Sequence, residues 1–566
     1  MCQPDAVVAR LRGAGVRRGD PVGLAIGDEA AGLALGDGTS ITIDADVAGV
    51  VAAVEDELRP RWVTWSPVTG RRLVGLGVRV ATCWDVVTVH RLVSGRWRVD
   101  EAHAWSAAHD LAPDTVPTEE PFDLFHQGDA GDPDEPIRAD GHLRPDWVGG
   151  RWRAAPARWA ELALDVADRQ RRRLGDDARA LATARSESTA ELLCAELEVD
   201  GLPLDRAEAE RLIGELAGPR PRTEQAAAAQ RAERDAAVLA HAPPGSRFDL
   251  RSPNDVRSLL RRIGVEVPDT RAWRLEALQD SHPLVPALLS WRKAERIATA
   301  FGYGWLDAHV GADGRLRGDW TGSDGAAGRM TASAGLHNLP AELRPAVRAE
   351  PGHVFVRADL GQIEPRVLAA VSGDRALAAA TADADMYAPV ARQLGVERPV
   401  AKVAVLGAMY GQTTGRGAEV LHRLERAYPV AMAYLADAAQ AAVAGNDVRT
   451  FGGRRVRMGS DAGLELAERE LRSRAAARGR YGRNAVVQGA AAELFKMWAL
   501  LVRATGAGIV LCLHDELLVH APADEAATTA RLLDDALQQA AARWAPGTDV
   551  RFVADVSTVQ RWSDAK

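Results

Sequence analysis

The stretch GHVFVRADLGQIEPR (352–366) decides how this sequence is interpreted. Its apolar run at 354–357 predicts a buried strand, and Asp359 stands at the end of that strand, where Gly361 and Gln362 lead into a helix-like segment. A carboxylate at this position faces a cleft. Taken alone, an acidic strand end is more often a turn residue than a metal ligand, so Asp359 needs a partner.

A second stretch, GIVLCLHDELLVHAP (508–522), supplies that partner. Its two apolar runs are interrupted at His514, Asp515 and Glu516, which predicts a tight hairpin with an acidic tip. With VRFVADV (550–556), these distant segments predict one mainly antiparallel sheet. Such a sheet can bring Asp515 to the first carboxylate, and paired carboxylates suit two Mg²⁺ ions.

Between these segments lies the helix-like stretch ERPVAKVAVLGAMYGQ (397–412). Arg398, Lys402, Leu406 and Tyr410 recur every four residues and therefore share one helical face. From the first to the last the rise is about 18 Å, enough to span a nucleoside triphosphate, and the helix N-terminus favours phosphate. An amphipathic helix with two cations that extend into solvent remains an equal alternative for this segment alone.

Composition limits the class of protein. The 566 residues are 47% hydrophobic and 26% charged, which excludes a wholly disordered chain and predicts about two to four substructures. The first 22 residues show neither a signal-peptide core nor a spanning segment, so we predict a cytoplasmic protein. The four cysteines are scattered and predict no zinc site or disulfide framework. A net charge of −8 neither supports nor excludes DNA binding.

Three further regions have a recognisable pattern. Residues 21–93 predict a small α/β unit with strands in VGLAI, AGLAL, RWVTW and LVGLGV. Residues 111–150 are rich in Pro, Gly and Asp and predict a loop or linker. Residues 222–240 predict a long helix exposed to solvent.

Three motifs resemble those of the family A DNA polymerases, the bacterial repair-polymerase type, and occur in the family's order. They are DLGQIEPR, RPVAKVAVLGAMYG and LHDELLVH. The resemblance runs from about residue 185 to the end and includes ELEVDGLPLD, FDLRSPNDVRSLL, GRMTASAGLHNLP, RNAVVQGAAAELFK and VADVSTVQRWSDAK. It implies an α+β multidomain fold, a right hand of palm, fingers and thumb.

The resemblance also implies boundaries. Residues 185–566 form the polymerase domain, with the thumb at about 185–320, the fingers at about 375–479 and the palm at about 321–374 and 480–566. Residues 1–184 resemble, weakly, a truncated ribonuclease H-like α/β domain of the 3′-5′ exonuclease type.

The implied chemistry is two-metal nucleotidyl transfer from a dNTP to a primer 3′-OH on a DNA template, with two Mg²⁺ ions held by Asp359 and Asp515 and Mn²⁺ able to substitute. Glu364 would exclude the ribose 2′-OH. The resemblance assigns catalysis to Asp359, Asp515, Lys402 and Glu516; nucleotide binding to Arg398, Lys402, Gln362, Glu364, Leu406, Tyr410 and Tyr387; and DNA binding to Arg329, Asn338, Arg480, Asn484, Gln488 and His514.

The chain departs from the family at several positions. Leu406 stands where the family carries Phe or Tyr against the incoming sugar and base, and Tyr387 where it carries a phosphate-contacting His. In the N-terminal region the Asp-x-Glu pair of the exonuclease is missing, and its Tyr-x-x-x-Asp motif is represented by residues 159–163, with Asp165 and Asp168 nearby. We therefore predict no proofreading, since a two-metal site needs converging carboxylates.

The sequence thus predicts a template-directed DNA polymerase for repair or gap filling that acts as a monomer on primer-template DNA and dNTPs, away from membranes and associated with the nucleoid. Two alternatives stay open. One is a catalytically weakened DNA-binding accessory protein on a polymerase scaffold, and the other is a bifunctional 3′-5′ exonuclease and polymerase.

Overall fold

The computed structural model describes residues 3–28, 30–113, 135–144, 155–245, 247–324, 327–411, 417–459 and 468–565. The chain forms two compact units. The first comprises Met1–Asp200, Asp319–Ala332 and Val356–Thr558, and the second Gly201–Gly318, Ser333–Phe355 and Val559–Lys566. The boundaries of thumb, palm and fingers given above stay predictions. Of the predicted linker, 111–113 and 135–144 are described, and the latter forms a turn closed by a bridge between Ile137 and Leu143.

The N-terminal part of the first unit is an α/β region with a five-stranded sheet of order β3-β2-β1-β4-β5. Its elements are α1 (Pro4–Gly13), β1 (Pro21–Ile26), β2 (Ala31–Ala34), β3 (Ser40–Ile43), α2 (Val47–Leu58), β4 (Arg61–Thr64), α3 (Pro67–Gly75), β5 (Cys83–Asp85), α4 (Val86–Ser94), α5 (Glu101–Ala108), α6 (Pro156–Leu174) and α7 (Ala178–Asp200). The predicted small α/β unit is confirmed.

Both faces of this sheet are buried. Leu24 and Leu33 belong to one apolar cluster with α1 and α2, whereas Ala25 and Ala34 belong to another with α4, α5 and α6. This alternation follows the two-residue period of a strand. The prediction of a strand in LVGLGV was wrong. Residues 73–75 continue α3, because the buried Leu73 faces the sheet with helical spacing.

The second unit is mainly helical. Its elements are β6 (Leu202–Pro203), α8 (Arg206–Ala217), α9 (Glu224–Leu239), α10 (Pro253–Arg262), α11 (Ala272–Glu276), α12 (Leu284–Ala300), α13 (Tyr303–His309) and β7 (Arg315–Leu316). Helices α9, α10, α11 and α12 share one apolar cluster. The predicted solvent-exposed helix is α9, in which Val238 is the one buried residue.

The rest of the chain forms a second sheet with long helices. Its elements are β8 (Trp320–Thr321), β9 (Thr331–Ala332), β10 (His353–Leu360), α14 (Ile363–Ser372), α15 (Arg375–Ala380), α16 (Tyr387–Leu394), α17 (Arg398–Tyr410), α18 (Gly417–Ala427), α19 (Pro429–Val443), β11 (Val448–Arg449), β12 (Arg455–Val456), α20 (Glu468–Arg503), β13 (Ile509–Leu513), β14 (Glu516–Pro522), α21 (Ala526–Trp544) and β15 (Ala554–Val559).

Three distant segments build this four-stranded sheet, in the order β13-β14-β10-β15, which confirms the prediction of a single sheet. The predicted third strand begins later than expected, at Ala554. The preceding backbone has other partners. The amide of Arg551 donates to the Thr381 hydroxyl, and its carbonyl accepts from Arg366, so these groups are not available to a strand ladder.

Helix α20 runs through the core of the first unit. By length and composition it is the one described helix that could cross a membrane, but 78% of its apolar window is buried inside the protein. Such burial is typical of a core helix.

Candidate active site

Of the two carboxylates predicted to bind metal, Asp359 lies on β10 and Asp515 lies in the turn that leads into the neighbouring strand β14. The amide of Leu360, at the end of β10, donates to the carbonyl of Asp515 at 2.9 Å. Asp515 and His514 form the two-residue turn between β13 and β14, and His514 adopts a left-handed conformation with φ 53°. The predicted acidic hairpin is therefore confirmed, and both carboxylates line one cavity of about 380 Å³.

Negative charge is concentrated at this cavity. Burial, followed by repulsion from Asp515, raises the pKa of Asp359 to about 6. Burial also raises the pKa of Asp515, and Glu516 adds repulsion. A divalent cation would offset this repulsion, and carboxylate oxygens are the ligands that Mg²⁺ prefers. The donor set therefore fits the metal that the motifs imply.

Arg357 supports the carboxylates from the same strand. Its guanidinium lies 2.7 Å from Oδ2 of Asp359 and 2.9 Å from Oε2 of Glu516. Residues two apart on a strand share a face, which explains why Arg357 reaches Asp359. Glu516 is buried in this ion pair and is not among the residues that line the cavity. Its position suits a supporting role beside the metal ligands.

Helix α17 forms the opposite wall. It begins after Glu397 with Pro399 in its first turn and ends at Gly411, which has a left-handed φ of 66°. The four residues predicted to share a face all line the cavity with the carboxylates; they are Arg398, Lys402, Leu406 and Tyr410. The basic end of the helix therefore borders the cavity, and its role in nucleotide binding stays a prediction.

Two side chains of this wall differ from the family pattern. Leu406 offers an aliphatic surface where a ring is expected, so the wall lacks a stacking partner at this position. Tyr387, on α16, is 4% exposed and lines the cavity. Burial raises the pKa of Tyr387 to about 12, so at neutral pH its hydroxyl is a neutral donor.

A hydrogen-bonded group closes the far end of the cavity. The Tyr410 hydroxyl donates to Oε2 of Glu364 at 2.6 Å, and Arg329 pairs with Oε1 of Glu364 at 3.2 Å. Gln488 also contacts the Tyr410 hydroxyl. Burial, then the charge of Arg329, lowers the pKa of His514. Both oxygens of Glu364 are thus held, which leaves a rigid surface beside the cavity.

The remaining residues predicted to bind DNA have different locations. Arg480, Asn484 and Gln488 lie on α20 at intervals of four and so share a face. Arg480 is exposed and lies against Gly411, the residue that ends α17. The buried Oδ1 of Asn484 accepts no hydrogen bond from any described residue. Asn338 is exposed and belongs to the second unit.

Sequence reasoning missed a group that holds the segment before α16. The Arg366 guanidinium is fully buried and donates to carbonyls of Thr381, Asp383 and Ala384 at 2.7–2.9 Å. Burial lowers the pKa of Arg366 to about 10, which leaves it charged at neutral pH. The available signal in the sequence was an arginine within a motif that otherwise lines a cavity. Its partners could not be predicted, because they are backbone atoms, which leave no pattern in the sequence.

A buried charge cluster was also missed. Glu187 of α7 pairs with Arg454 and with Lys496 of α20, and all three are at most 6% exposed. Lys496 donates to the Gly322 carbonyl at 3.1 Å, and Gly328, with a φ of 75°, lies against Arg454. The cluster thereby holds both ends of the loop between β8 and β9. Arg329, which pairs with Glu364, lies in this loop.

Helix α6 carries the residues predicted to represent the last exonuclease motif, and it packs tightly on the N-terminal sheet. Trp159 of α6 is fully buried and stacks on Trp65 with centroids 4.7 Å apart. Asp165 contacts His109 at 2.8 Å, and Asp168 pairs with Arg172. In the described part of this region, no three side chains of metal-ligating type come together.

With this geometry established, comparison with known proteins is informative. The sequence profile of DNA polymerase family A matches residues 221–564. DNA polymerase I of Chloroflexus aurantiacus is 32% identical over 297 residues, which are 46% of this chain and 31% of that protein. The thermostable DNA polymerase I of Thermus aquaticus is 29% identical over 301 residues, 48% of this chain and 36% of that protein. The matched part thus spans about a third of the length of these relatives.

A solved structure has the same fold. It is the POL domain of Pol1 from M. smegmatis, in complex with DNA primer-template and dNTP, and it covers 100% of this chain and 99% of its own, with 22% identity and a TM-score of 0.70. The predicted α+β polymerase fold is confirmed. Because the family profile covers more than half of the chain and includes both carboxylates and the helix that faces them, the chain belongs to DNA polymerase family A.

Proposed function

We propose that this chain is a template-directed DNA polymerase that adds dNTPs to a primer 3′-OH. The observation that carries the proposal is the single cavity in which Asp359 and Asp515 face Arg398 and Lys402 of α17. Acidic ligands on one wall and cations at a helix N-terminus on the other suit a metal-bound triphosphate. The relatives named above are called DNA polymerase I, a name that states the same activity.

Each wall has its own task. Asp359 and Asp515 would hold two Mg²⁺ ions, which when bound lower the pKa of the primer hydroxyl and stabilise the leaving pyrophosphate. We assign triphosphate binding to Arg398 and Lys402, and to Lys402 also the transfer of a proton to pyrophosphate. Tyr410 stands against the templating base pair.

Discrimination against ribonucleotides is assigned to Glu364. Its carboxylate is held by Tyr410 and Arg329, so it cannot easily move away from a ribose 2′-OH. Minor-groove contacts by Arg480, Gln488 and His514 would be nearly independent of sequence, as a polymerase requires, because that groove presents similar acceptors for every pair.

We further propose that the N-terminal region does not proofread. The stacked pair of Trp65 and Trp159 occupies the interior of this region, and α6 packs directly on its sheet. A Cβ on Gly23 would lie 2.5 Å from the Ala160 carbonyl oxygen, and one on Gly32 would lie 2.2 Å from the Ala157 nitrogen. Among the described residues, α6 therefore leaves no space between itself and these two strands. The accessory-protein alternative was motivated by Leu406 and by the shortened stretch between Tyr387 and Arg398, and the acidic and basic walls of the cavity count against it.

The proposed setting is repair or gap filling by a monomer in the cytoplasm, in association with the nucleoid. Primer-template DNA and dNTPs are the proposed partners.

Primer extension tests the proposal. The purified chain should extend a recessed primer with four dNTPs and Mg²⁺, or with Mn²⁺, and should leave the same primer intact when dNTPs are omitted. Absence of extension with either metal would refute polymerase activity. Metal-dependent shortening of the 3′ end would instead refute the closed N-terminal site and favour the bifunctional alternative.

A further inference from the structure

A carboxylate outside the predicted site residues organises the phosphate end of the cavity. Asp385 lies between α15 and α16 and accepts three hydrogen bonds. Its Oδ1 accepts from Nε2 of Gln362 at 3.0 Å and from the amide of Tyr387 at 3.2 Å. Its Oδ2 accepts from Nε of Arg398. One oxygen thus binds the neutral donors of α14 and α16, and the other binds the first residue of α17.

The segment that carries this carboxylate is itself held. The Gln362 side chain returns a second hydrogen bond, because its Oε1 accepts from the amide of Met386 at 2.9 Å. On the other side of Asp385, the buried Arg366 donates to the carbonyl of Ala384 at 2.7 Å. The backbone on both sides of Asp385 is therefore fixed to α14, the helix that follows the metal ligand of β10.

The way in which Arg398 is held matters for phosphate binding. Asp385 engages Nε, while the two terminal nitrogens of Arg398 donate to no other residue that the structure describes. Those nitrogens form the fork that recognises phosphate oxygens in pairs. The Tyr387 ring lies 5.9 Å from the guanidinium carbon and limits the directions that remain open to it. Arg398 is half-exposed, so without these contacts its long side chain would have many rotamers.

We propose that Asp385 is a positioning residue for the incoming nucleotide, since its contact with Nε of Arg398 orients the terminal nitrogens toward the triphosphate. This inference rests on the proposed function and adds a specific residue to it. The carboxylate does not touch the substrate. It acts through the arginine, and it also joins the N-terminus of α17 to the segment fixed on α14.

The opposite role, a latch that holds Arg398 away from phosphate, is disfavoured by the contact geometry. A latch would occupy the terminal fork, whereas Asp385 takes Nε and leaves the two terminal nitrogens for a paired contact with phosphate. The two roles predict opposite changes in nucleotide affinity.

The test is Asp385→Asn, which keeps an acceptor for the Tyr387 amide but removes the charge that holds Arg398. Its control is Asp383→Asn, in the same segment, where the carboxylate pairs at 3.4 Å with the exposed Arg392.

Steady-state primer extension gives KM for dNTP and kcat, and calorimetry of dNTP binding to the primer-template complex gives Kd without turnover. Asp385→Asn should raise KM and Kd about tenfold with kcat nearly unchanged, as expected when one charge-assisted contact loses its orientation.

A double-mutant cycle separates positioning from a general structural role. In an Arg398→Ala background, Asp385→Asn should have no further effect on Kd. An unchanged or lowered Kd in the single variant, or an equal loss in the Arg398→Ala background, would overturn the inference. If the native chain binds dNTP but does not extend primers, the proposed function fails while the Kd comparison still decides the role of Asp385. If the native chain does not bind dNTP, both fail.

Discussion

Each of the two sheets of the first unit has an aspartate at a strand end, but one aspartate is buried and the other borders a cavity. Asp85 ends β5, is 1% exposed and accepts a hydrogen bond from the amide of Thr88 at 2.8 Å, so it caps α4. Asp359 lies at the end of β10, and its side chain is 33% exposed at a cavity. Both carboxylates have a raised pKa, about 8 and about 6, and burial is the main cause in each.

The comparison shows that an acidic residue at a strand end becomes a candidate ligand only where packing leaves space in front of it. At β10 the facing helix is α17, whose cations lie across a cavity. At the N-terminal sheet the helix packed on β5 is α7, whose Ser188 hydroxyl accepts a hydrogen bond from the amide of Asp85 at 3.0 Å, and Asp85 is buried there. The two strand ends therefore differ in the space in front of the carboxylate, and not in its charge or in the surrounding secondary structure.

The largest expected effect comes from removing one carboxylate in each region. Asp359→Asn should lower kcat/KM for primer extension about a thousandfold or more, because metal-held charge stabilisation is worth several kcal/mol. Asp165→Asn, on α6, should leave extension unchanged, since Asp165 contacts only His109 and Arg169 among the described residues. A comparable loss in both variants would show that the N-terminal region takes part in the reaction.

The close approach of α6 can be tested by stability. Gly32→Ala would place a Cβ 2.2 Å from the α6 backbone, so the helix or the strand must shift at a cost of about 1–3 kcal/mol. Gly36→Ala is the matched control, because a Cβ there meets nothing within 4 Å. Urea unfolding measures both. If the two variants are equally stable, the N-terminal interior has room that the contacts do not indicate.

The cavity beside the four-stranded sheet should accept a larger side chain, whereas the tightly packed interior of the N-terminal region should not. Leu406→Phe restores a ring on the wall of α17 and should lower KM for dNTP about fivefold, since ring stacking contributes about 1 kcal/mol. Val403→Phe adds the same ring on the exposed side of α17, where Val403 is 70% exposed, and should leave KM unchanged. A raised KM in Leu406→Phe would mean that the wall is already filled.

The remaining comparison concerns the pH dependence of the capping carboxylate, Asp85. Because the folded pKa of Asp85 is about 8 and its ordinary value 3.8, the folded state keeps a proton that the unfolded chain releases. The resulting stability is present below pH 4 and is lost as the pH rises from about 4 through 8. Asp85→Asn retains the cap and removes the titration. Its Tm should match that of the native chain below pH 4 and exceed it at pH 9; parallel pH profiles would contradict this.

The sequence by itself determined the local elements of the site. The apolar run at 354–357, the polar interruption at 514–516 and the four-residue spacing on α17 are local patterns, and each predicted the element that the structure contains. The order of the motifs was enough to indicate the family. One strand was misassigned in LVGLGV because a short apolar run fits a helix turn and a strand equally well.

Only the tertiary structure decided which polar groups meet. Asp385, Arg366 and Glu187 have partners far away in sequence, many of them backbone atoms that carry no residue-specific signal. Likewise, nothing local distinguishes Asp85 from Asp359, since both follow apolar runs and precede helices. The physical reason is that burial, open space and proton affinity depend on what packs against a residue, and that packing is set by segments distant in the chain.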